Sequence, residues 1–350
     1  MAFLTFNNVA ITALAACVPR NISRNSESNI FTDESERQKV IASIGINEKR
    51  YVDPGVTASD MCYAAAERLL TEMKVDRSEI DALVFLSQTS DYITPATAPS
   101  LQARLGLSNS VACFDINLAC SGYVYGLSIC FAYASIPGIR KVLFLNGETF
   151  SKVVSDKDKV NFPLYGDAGT ATLIESGQEN KTAFFDLYSD GSGKDAVMIK
   201  GGGARMPSDK DTVMLRERED NNFRTEHHIY MNGIDVFNFA LLRVPQAVRE
   251  MLKKTNLDAD SVNYFFFHQA NKFMTDFIAK KLKIPLEKVP YCLDKFGNTS
   301  SSSIPLTIVS EGTSLADLSN VMLVGFGGGL SWGTACLDLS ESYIIELFEY

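Results

Sequence analysis

This chain repeats itself, and the repeat constrains what it can fold into more than any other feature. Leu70-Thr-Glu-Met-Lys-Val-Asp-Arg-Ser-Glu-Ile-Asp81 and the apolar run to Phe85 reappear 182 residues later as Leu252-Lys-Lys-Thr-Asn-Leu-Asp-Ala-Asp-Ser-Val-Asn263 and the run to Phe267. Ala103-Arg-Leu-Gly-Leu107 matches Lys280-Lys-Leu-Lys-Ile284 at an offset of 177, and Lys141-Val-Leu-Phe-Leu-Asn-Gly147 matches Asn320-Val-Met-Leu-Val-Gly-Phe326 at 179. Three matches at nearly one offset mark a duplicated chain.

Each half alternates amphipathic helices, polar turns and short unbroken apolar strands, the pattern of α/β sheets covered on both faces. We expect two pseudo-symmetric halves, residues 1–175 and 176–350. Between roughly 176 and 225 the chain is polar and Gly-rich, which predicts loops and edge strands. Paired sheets of this kind bind ligands where their strand ends meet. Under the repeat, Asn298 stands 178 residues after Cys120 and His268 stands 182 after Leu86, so both halves can supply one site.

The rest of the chain narrows the function classes. Seven scattered cysteines, an odd number with no C-x-x-C pair, argue against a disulfide framework or a structural zinc site. They predict a reducing, cytoplasmic setting. No basic region precedes the first apolar residues, so no signal peptide is expected. A net charge of −9 makes nucleic acid and acidic membrane surfaces poor general partners. Ile116 to Ile139 carries no charge, but Gly122, Gly126, Pro137 and Gly138 interrupt it, and we read it as a helix buried on all sides. Asp190-Gly-Ser-Gly-Lys194 lacks the spacing of a phosphate loop, and Gly325-Phe-Gly-Gly-Gly-Leu330 ends in Leu where a dinucleotide fingerprint needs a small residue.

Cys120 lies in Asp115-Ile-Asn-Leu-Ala-Cys-Ser-Gly122, after an extended apolar run and at the start of a helical one. A helix N-terminus favours the thiolate, the nucleophilic form of cysteine. A lone cysteine is more often a small buried hydrophobe, a lone His268 a strand-end histidine, and Gly297-Asn298 a turn. Together they describe a cysteine-nucleophile acyl-transfer centre. His227-His228 lacks metal-ligand spacing, and no metal is expected. The order Cys, His, Asn also occurs in papain-like proteases, but the Cys-Gly-Ser-Cys-Trp signature is absent and a duplicated α/β chain is the wrong architecture.

The whole set resembles the thiolase-like condensing enzymes, specifically β-ketoacyl-acyl-carrier-protein synthase III. The likeness is carried by Ala119-Cys-Ser-Gly122, His268-Gln-Ala-Asn271, Gly297-Asn-Thr-Ser300 with Ile304-Pro305, and Phe326-Gly-Gly-Gly-Leu-Ser-Trp-Gly333. Tyr165-Gly-Asp-Ala-Gly169 and Met231-x-Gly233 with Val236-Phe237 add to it. Chalcone synthases and hydroxymethylglutaryl-CoA synthases share the cysteine but fit these motifs less well. The resemblance implies a five-layered αβαβα fold, a homodimer and no cofactor beyond coenzyme A or phosphopantetheine thioesters as substrates. Cys120 would take the acyl group, with the backbone N–H groups of Cys120 and Gly328 as oxyanion donors. His268 and Asn298 would stabilise the enolate of a decarboxylating malonyl group, and Phe326, Met231 and Tyr165 would line the pocket.

The partner implied is an acyl-carrier protein, with Lys272, Lys280 and Lys281 as a docking patch. The alternative is a relative from specialised metabolism using longer or aryl acyl donors. The sequence departs from the family pattern where coenzyme A is held. Lys39 and Ser43 stand where acetyl-CoA-using members place Trp and Arg, and Phe273 stands where an Arg usually follows the His-Gln-Ala-Asn motif. A stacked, bidentate grip on coenzyme A is thereby weakened.

Overall fold

A computed structural model describes residues 2–350. In the first half, strands β1 (Ala2–Asn7) and β2 (Val9–Val18) precede helix α1 (Ala58–Glu72), β3 (Ala82–Leu86), β4 (Ala112–Ile116), α2 (Gly122–Ala134), β5 (Lys141–Thr149) and β6 (Asp167–Ser176). In the second, β7 (Thr182–Ser189) precedes α3 (Gly233–Thr255), β8 (Tyr264–Phe267), α4 (Lys272–Leu282), α5 (Ser303–Glu311), β9 (Val321–Gly327) and β10 (Ser331–Leu337). Short strands β11 (Tyr343–Ile344) and β12 (Phe348–Glu349) close the chain.

Two sheets result, ordered β11-β2-β6-β5-β3-β4 with β12 also on β2, and β1-β7-β10-β9-β8. The run β2-β6-β5-β3 has the same order and sense as β7-β10-β9-β8: antiparallel, antiparallel, then parallel. The duplication reaches register. Ala82 faces Val142 across the first parallel pair, and their counterparts Tyr264 and Val321 face each other across the second. The division expected after residue 175 falls at the end of β6, but the chain ends cross it. β1 joins the second sheet and β11 and β12 join the first.

The strands read as unbroken apolar runs because helices cover both faces. On β5, Val142 and Phe144 point into the central layer, while Leu143 and Leu145 meet α1 on the outside. On β8, Phe266 faces the central layer and Phe265 and Phe267 face α3 and α4. Helices α2 and α5 fill the space between the sheets, giving five layers, αβαβα. Gly126 lets α2 approach β5 closely, since a Cβ there would lie 2.3 Å from the Phe144 ring. The uncharged stretch is therefore a helix of 13 residues between two sheets, and no helix among the described residues is long and apolar enough to cross a membrane.

Candidate active site

The carboxyl ends of the central strands carry the site. Cys120 sits in the turn between β4 and α2, half-buried, with Gly122 N–H bonded to Ala119 O at 2.7 Å. Strand β9 passes so close that a Cβ on Gly327 would lie 2.7 Å from the Cys120 Cβ and 2.9 Å from its sulfur. Ser331 Oγ fixes the following turn, lying 2.7 Å from Ser121 Oγ and donating to Gly328 O at 3.1 Å. This places the N–H groups of Cys120 and Gly328 at the sulfur, where both favour the thiolate.

His268 ends β8, its N–H bonded to Val324 O at 2.8 Å. Its ring is buried, with Nδ1 2.7 Å from Ser303 Oγ and the Phe326 ring 5.4 Å away, edge-on. Asn271 of the same motif caps α4, accepting from Met274 N at 2.8 Å. Asn298 follows Gly297, whose φ of +69° makes the turn, and its backbone pairs with Tyr165. Its Oδ1 accepts from Ser300 N at 2.8 Å and its Nδ2 lies 3.5 Å from Ala270 O.

The four serines after Thr299 connect these groups. Ser300 Oγ lies 3.5 Å from the Cys120 sulfur, Ser303 holds His268, and Ser302 closes its own turn on Thr299 O at 2.8 Å. Ser301 donates to Glu148 Oε1 at 2.7 Å. Cys120, His268 and Asn298 thus meet around one turn, although they come from opposite halves. Tyr165 and Met231 share an apolar cluster with Phe150 and Ile229, and Met231 also packs on the cluster containing Phe326.

Electrostatics reverse the expectation of a depressed thiol pKa. Burial first, and then the nearby Glu148 carboxyl, push the Cys120 thiol up, and with Ser300 and the two N–H groups pulling against them it stands at about 11. Taking two charges into one dry site costs more than a helix start returns, so the resting nucleophile is a thiol. Burial holds His268 down at about 3, so its imidazole is neutral. Glu148, fully buried and held by Ser301, Gln88 N, Thr89 and Ser87, is pushed up to about 7 by burial. Sequence reasoning stopped one residue short of it. The signal was a lone charge ending the apolar run Lys141–Gly147.

The lysines behave differently from one another. Lys272 pairs with Asp276 at 2.6 Å, and Lys281 donates to Leu241 O at 2.8 Å. Only Lys280 of the three is exposed without an ion pair or hydrogen bond among the described residues. Phe273 is exposed and stacks on Phe237, 5.6 Å between ring centres. Among the described residues no group of three or more His, Cys, Asp or Glu side chains is placed to hold a metal.

Comparison with known proteins places the chain in a family and a fold. The sequence family described as 3-oxoacyl-[acyl-carrier-protein] synthase III matches residues 114–191, and its C-terminal counterpart matches 252–339. The chain is 34% identical to a β-ketoacyl-[acyl-carrier-protein] synthase III of Rhodopirellula baltica, over 93% of this chain and 97% of that one. It is 32% identical to one from Clostridium perfringens, over 95% and 99%. It superposes on the crystal structure of a 3-oxoacyl-(acyl-carrier protein) synthase from Burkholderia xenovorans with a TM-score of 0.92, at 34% identity and 99% of both chains.

Proposed function

The chain belongs to the 3-oxoacyl-[acyl-carrier-protein] synthase III family of condensing acyltransferases, and on that premise we propose how its residues carry the reaction. Cys120 attacks an acyl thioester; its S–H proton leaves with the departing thiol and an acyl-enzyme forms. The N–H groups of Cys120 and Gly328 hold the oxyanion, each donor worth ~10² to 10³ in rate. A malonyl thioester then loses CO2, and its enolate oxygen accepts hydrogen bonds from His268 and Asn298. The carbanion attacks the acyl-cysteine, expelling the thiolate and giving a β-ketoacyl thioester.

The observation carrying this reading is the meeting of Cys120, His268 and Asn298 around Ser300. A neutral imidazole suits the second step, because a donor that keeps its proton stabilises an enolate without quenching it. Phe326 shields that imidazole, and the cluster holding Tyr165 and Met231 takes the acyl chain. The malonyl donor is carried by an acyl-carrier protein, an acidic partner for Lys280 with Lys272 and Lys281 beside it, and the product starts a fatty-acid chain.

Lys159, one of the basic groups open to a phosphopantetheine arm or a carrier protein, is engaged by Glu36 at 3.0 Å. With Lys39, Ser43 and Phe273 in place of the usual grip, this favours a first donor other than acetyl-CoA, including the longer or aryl donors of specialised metabolism. The enzyme works in the cytoplasm as a homodimer. All seven cysteines are unpaired, which suits a reducing compartment, and Tyr92 and Ile93, 70% and 94% exposed, are side chains a second copy would cover. Intact-mass measurement after mixing with acyl thioesters tests the central step: an acyl adduct on Cys120 supports it, and adducts that survive Cys120→Ala reject it.

A further inference from the structure

Glu148 is fully buried, and neither step of the reaction uses it. Every group around its carboxyl is placed to donate. Thr89 Oγ1 already accepts from Thr149 N, Ser87 Oγ from Thr89 N and Ser301 Oγ from Asn146 Nδ2, each at 2.9 Å. The proton of each hydroxyl is thereby free for the carboxyl. Ser301 reaches Oε1 at 2.7 Å, while Thr89 at 3.1 Å, Ser87 at 3.3 Å and the N–H of Gln88 at 3.1 Å reach Oε2. Four donors converging on two oxygens suit an acceptor-only carboxylate.

These donors come from both halves of the chain. Ser87, Gln88 and Thr89 follow β3 in the first half, and Ser301 belongs to the serine run of the second. The strand between them has little room to move. A Cβ on Gly147 would lie 2.6 Å from Cys62 Sγ and 3.2 Å from Ala58 O, so β5 is pressed against α1. The internal repeat gives Glu148 a counterpart: at the offset of 179 it corresponds to Gly327, and the two face Ala168 and Ser331 across equivalent strand pairs. Gly327 packs against the turn that carries Cys120. Glu148 holds the turn that carries Asn298, the counterpart of Cys120 in the repeat. One half meets its turn through close backbone contact, the other through a carboxylate.

We infer that Glu148 is a positioning residue: its carboxylate clamps Ser301 to the Ser87–Thr89 turn, and so fixes Ser300 at the Cys120 sulfur and Asn298 for the enolate. The inference rests on Cys120 and Asn298 serving the two steps of the proposed reaction. Ser300 is the residue before Ser301, with its Oγ 3.5 Å from the sulfur and its N–H on Asn298 Oδ1 at 2.8 Å. A shift of Ser301 therefore reaches both groups. A displacement of about 1 Å in groups that orient reactants is enough to cost up to ~10² in rate. A carboxylate presented from a tightly packed strand is the kind of support that limits such displacement.

The test is Ser301→Ala, which opens the clamp and leaves the carboxylate its other three donors. Two rates are read at saturating substrate: mass gain on Cys120 from an acyl pantetheine thioester, and malonyl-pantetheine decarboxylation in a Cys120→Ala background. Both are expected to fall about tenfold, with KM changed by less than about twofold. Glu148→Ala should slow acylation at least as much, although loss of its charge alone would speed a step that builds negative charge at the sulfur. The double variant should be no slower than Glu148→Ala, because the carboxylate acts through Ser301. A clamp that only supports the fold lowers the melting temperature of Ser301→Ala and leaves both saturating rates at the wild-type level; that result overturns the role. So does a double variant whose losses multiply. If Glu148→Ala does not fold, Ser301→Ala decides alone. No adduct on Cys120 of the wild-type enzyme overturns the reaction scheme, and the positioning role with it.

Discussion

Ser300 Oγ lies 3.5 Å from the Cys120 sulfur, and Ser300 holds that position at a φ of +52°. The left-handed region is uncommon for a residue with a side chain, and here it aims a hydroxyl at the nucleophile while Ser300 N–H holds Asn298. The same residue thus touches both the sulfur and the Asn298 carboxamide.

Replacing Ser300 separates those effects. Ser300→Gly suits the backbone, whereas Ser300→Ala keeps its strain, but both remove the hydroxyl that favours the thiolate. Both should slow iodoacetamide alkylation of Cys120 at pH 8 severalfold, with Ser300→Gly the more stable. Unchanged alkylation would remove Ser300 from the thiol's environment.

Glu148 and Cys120 compete for negative charge in one buried region, with Cys62 the other titratable group beside Glu148. Glu148→Gln should lower the Cys120 pKa and move the pH–alkylation profile toward lower pH. The folded carboxyl is raised from 4.5 to about 7, so its contribution to stability is present below its unfolded pKa and is lost as pH rises through about 7. Relative to Glu148→Gln, wild-type stability should decline across that window by on the order of 3 kcal/mol. Parallel denaturation curves at pH 5 and 8 check the sign.

Cys120→Ala should abolish acylation yet leave malonyl decarboxylation measurable, because His268 and Asn298 remain. His268→Ala should do the reverse. With the imidazole held near 3, decarboxylation by Cys120→Ala should show no imidazole titration between pH 5 and 8. A step near pH 6.5 that persists when Glu148, itself near 7, is replaced by Gln would mean that His268 is charged in the working enzyme.

Gly327→Ala places a methyl group 2.7 Å from the Cys120 Cβ, closer than real Cβ contacts allow. The turn carrying the nucleophile must shift, so acylation should fall by about 10²-fold and the melting temperature should drop. Retained acylation would show that β9 can yield without disturbing the site.

Charge reversal at Lys280 should weaken carrier-protein binding more than the same change at Lys281, whose amine is held by Leu241 O. The difference should shrink as salt rises from roughly 50 mM, where screening is weak. Titration calorimetry with an acyl-carrier protein decides it; equal losses at both positions would remove the distinction.

Much of the design was legible in the residues. The offset of the repeat carried through to strand register, as the pairs Ala82–Val142 and Tyr264–Val321 show, because side-chain period and sheet pairing are local properties that a duplicated pattern inherits. Cys120, His268 and Asn298 could be singled out for the same reason, each standing beside a turn or helix start visible in its own segment. What depended on groups from elsewhere was not legible. A hydroxyl's direction follows from one backbone angle, as at Ser300, and a pKa follows from what burial removes from water, which reversed the expectation for Cys120 and set Glu148 near neutrality. The sequence by itself determined the duplicated layers and marked the candidate reacting groups; only the tertiary structure decided their protonation and the pairing of the lysines, because those depend on distances between segments that the chain order does not encode.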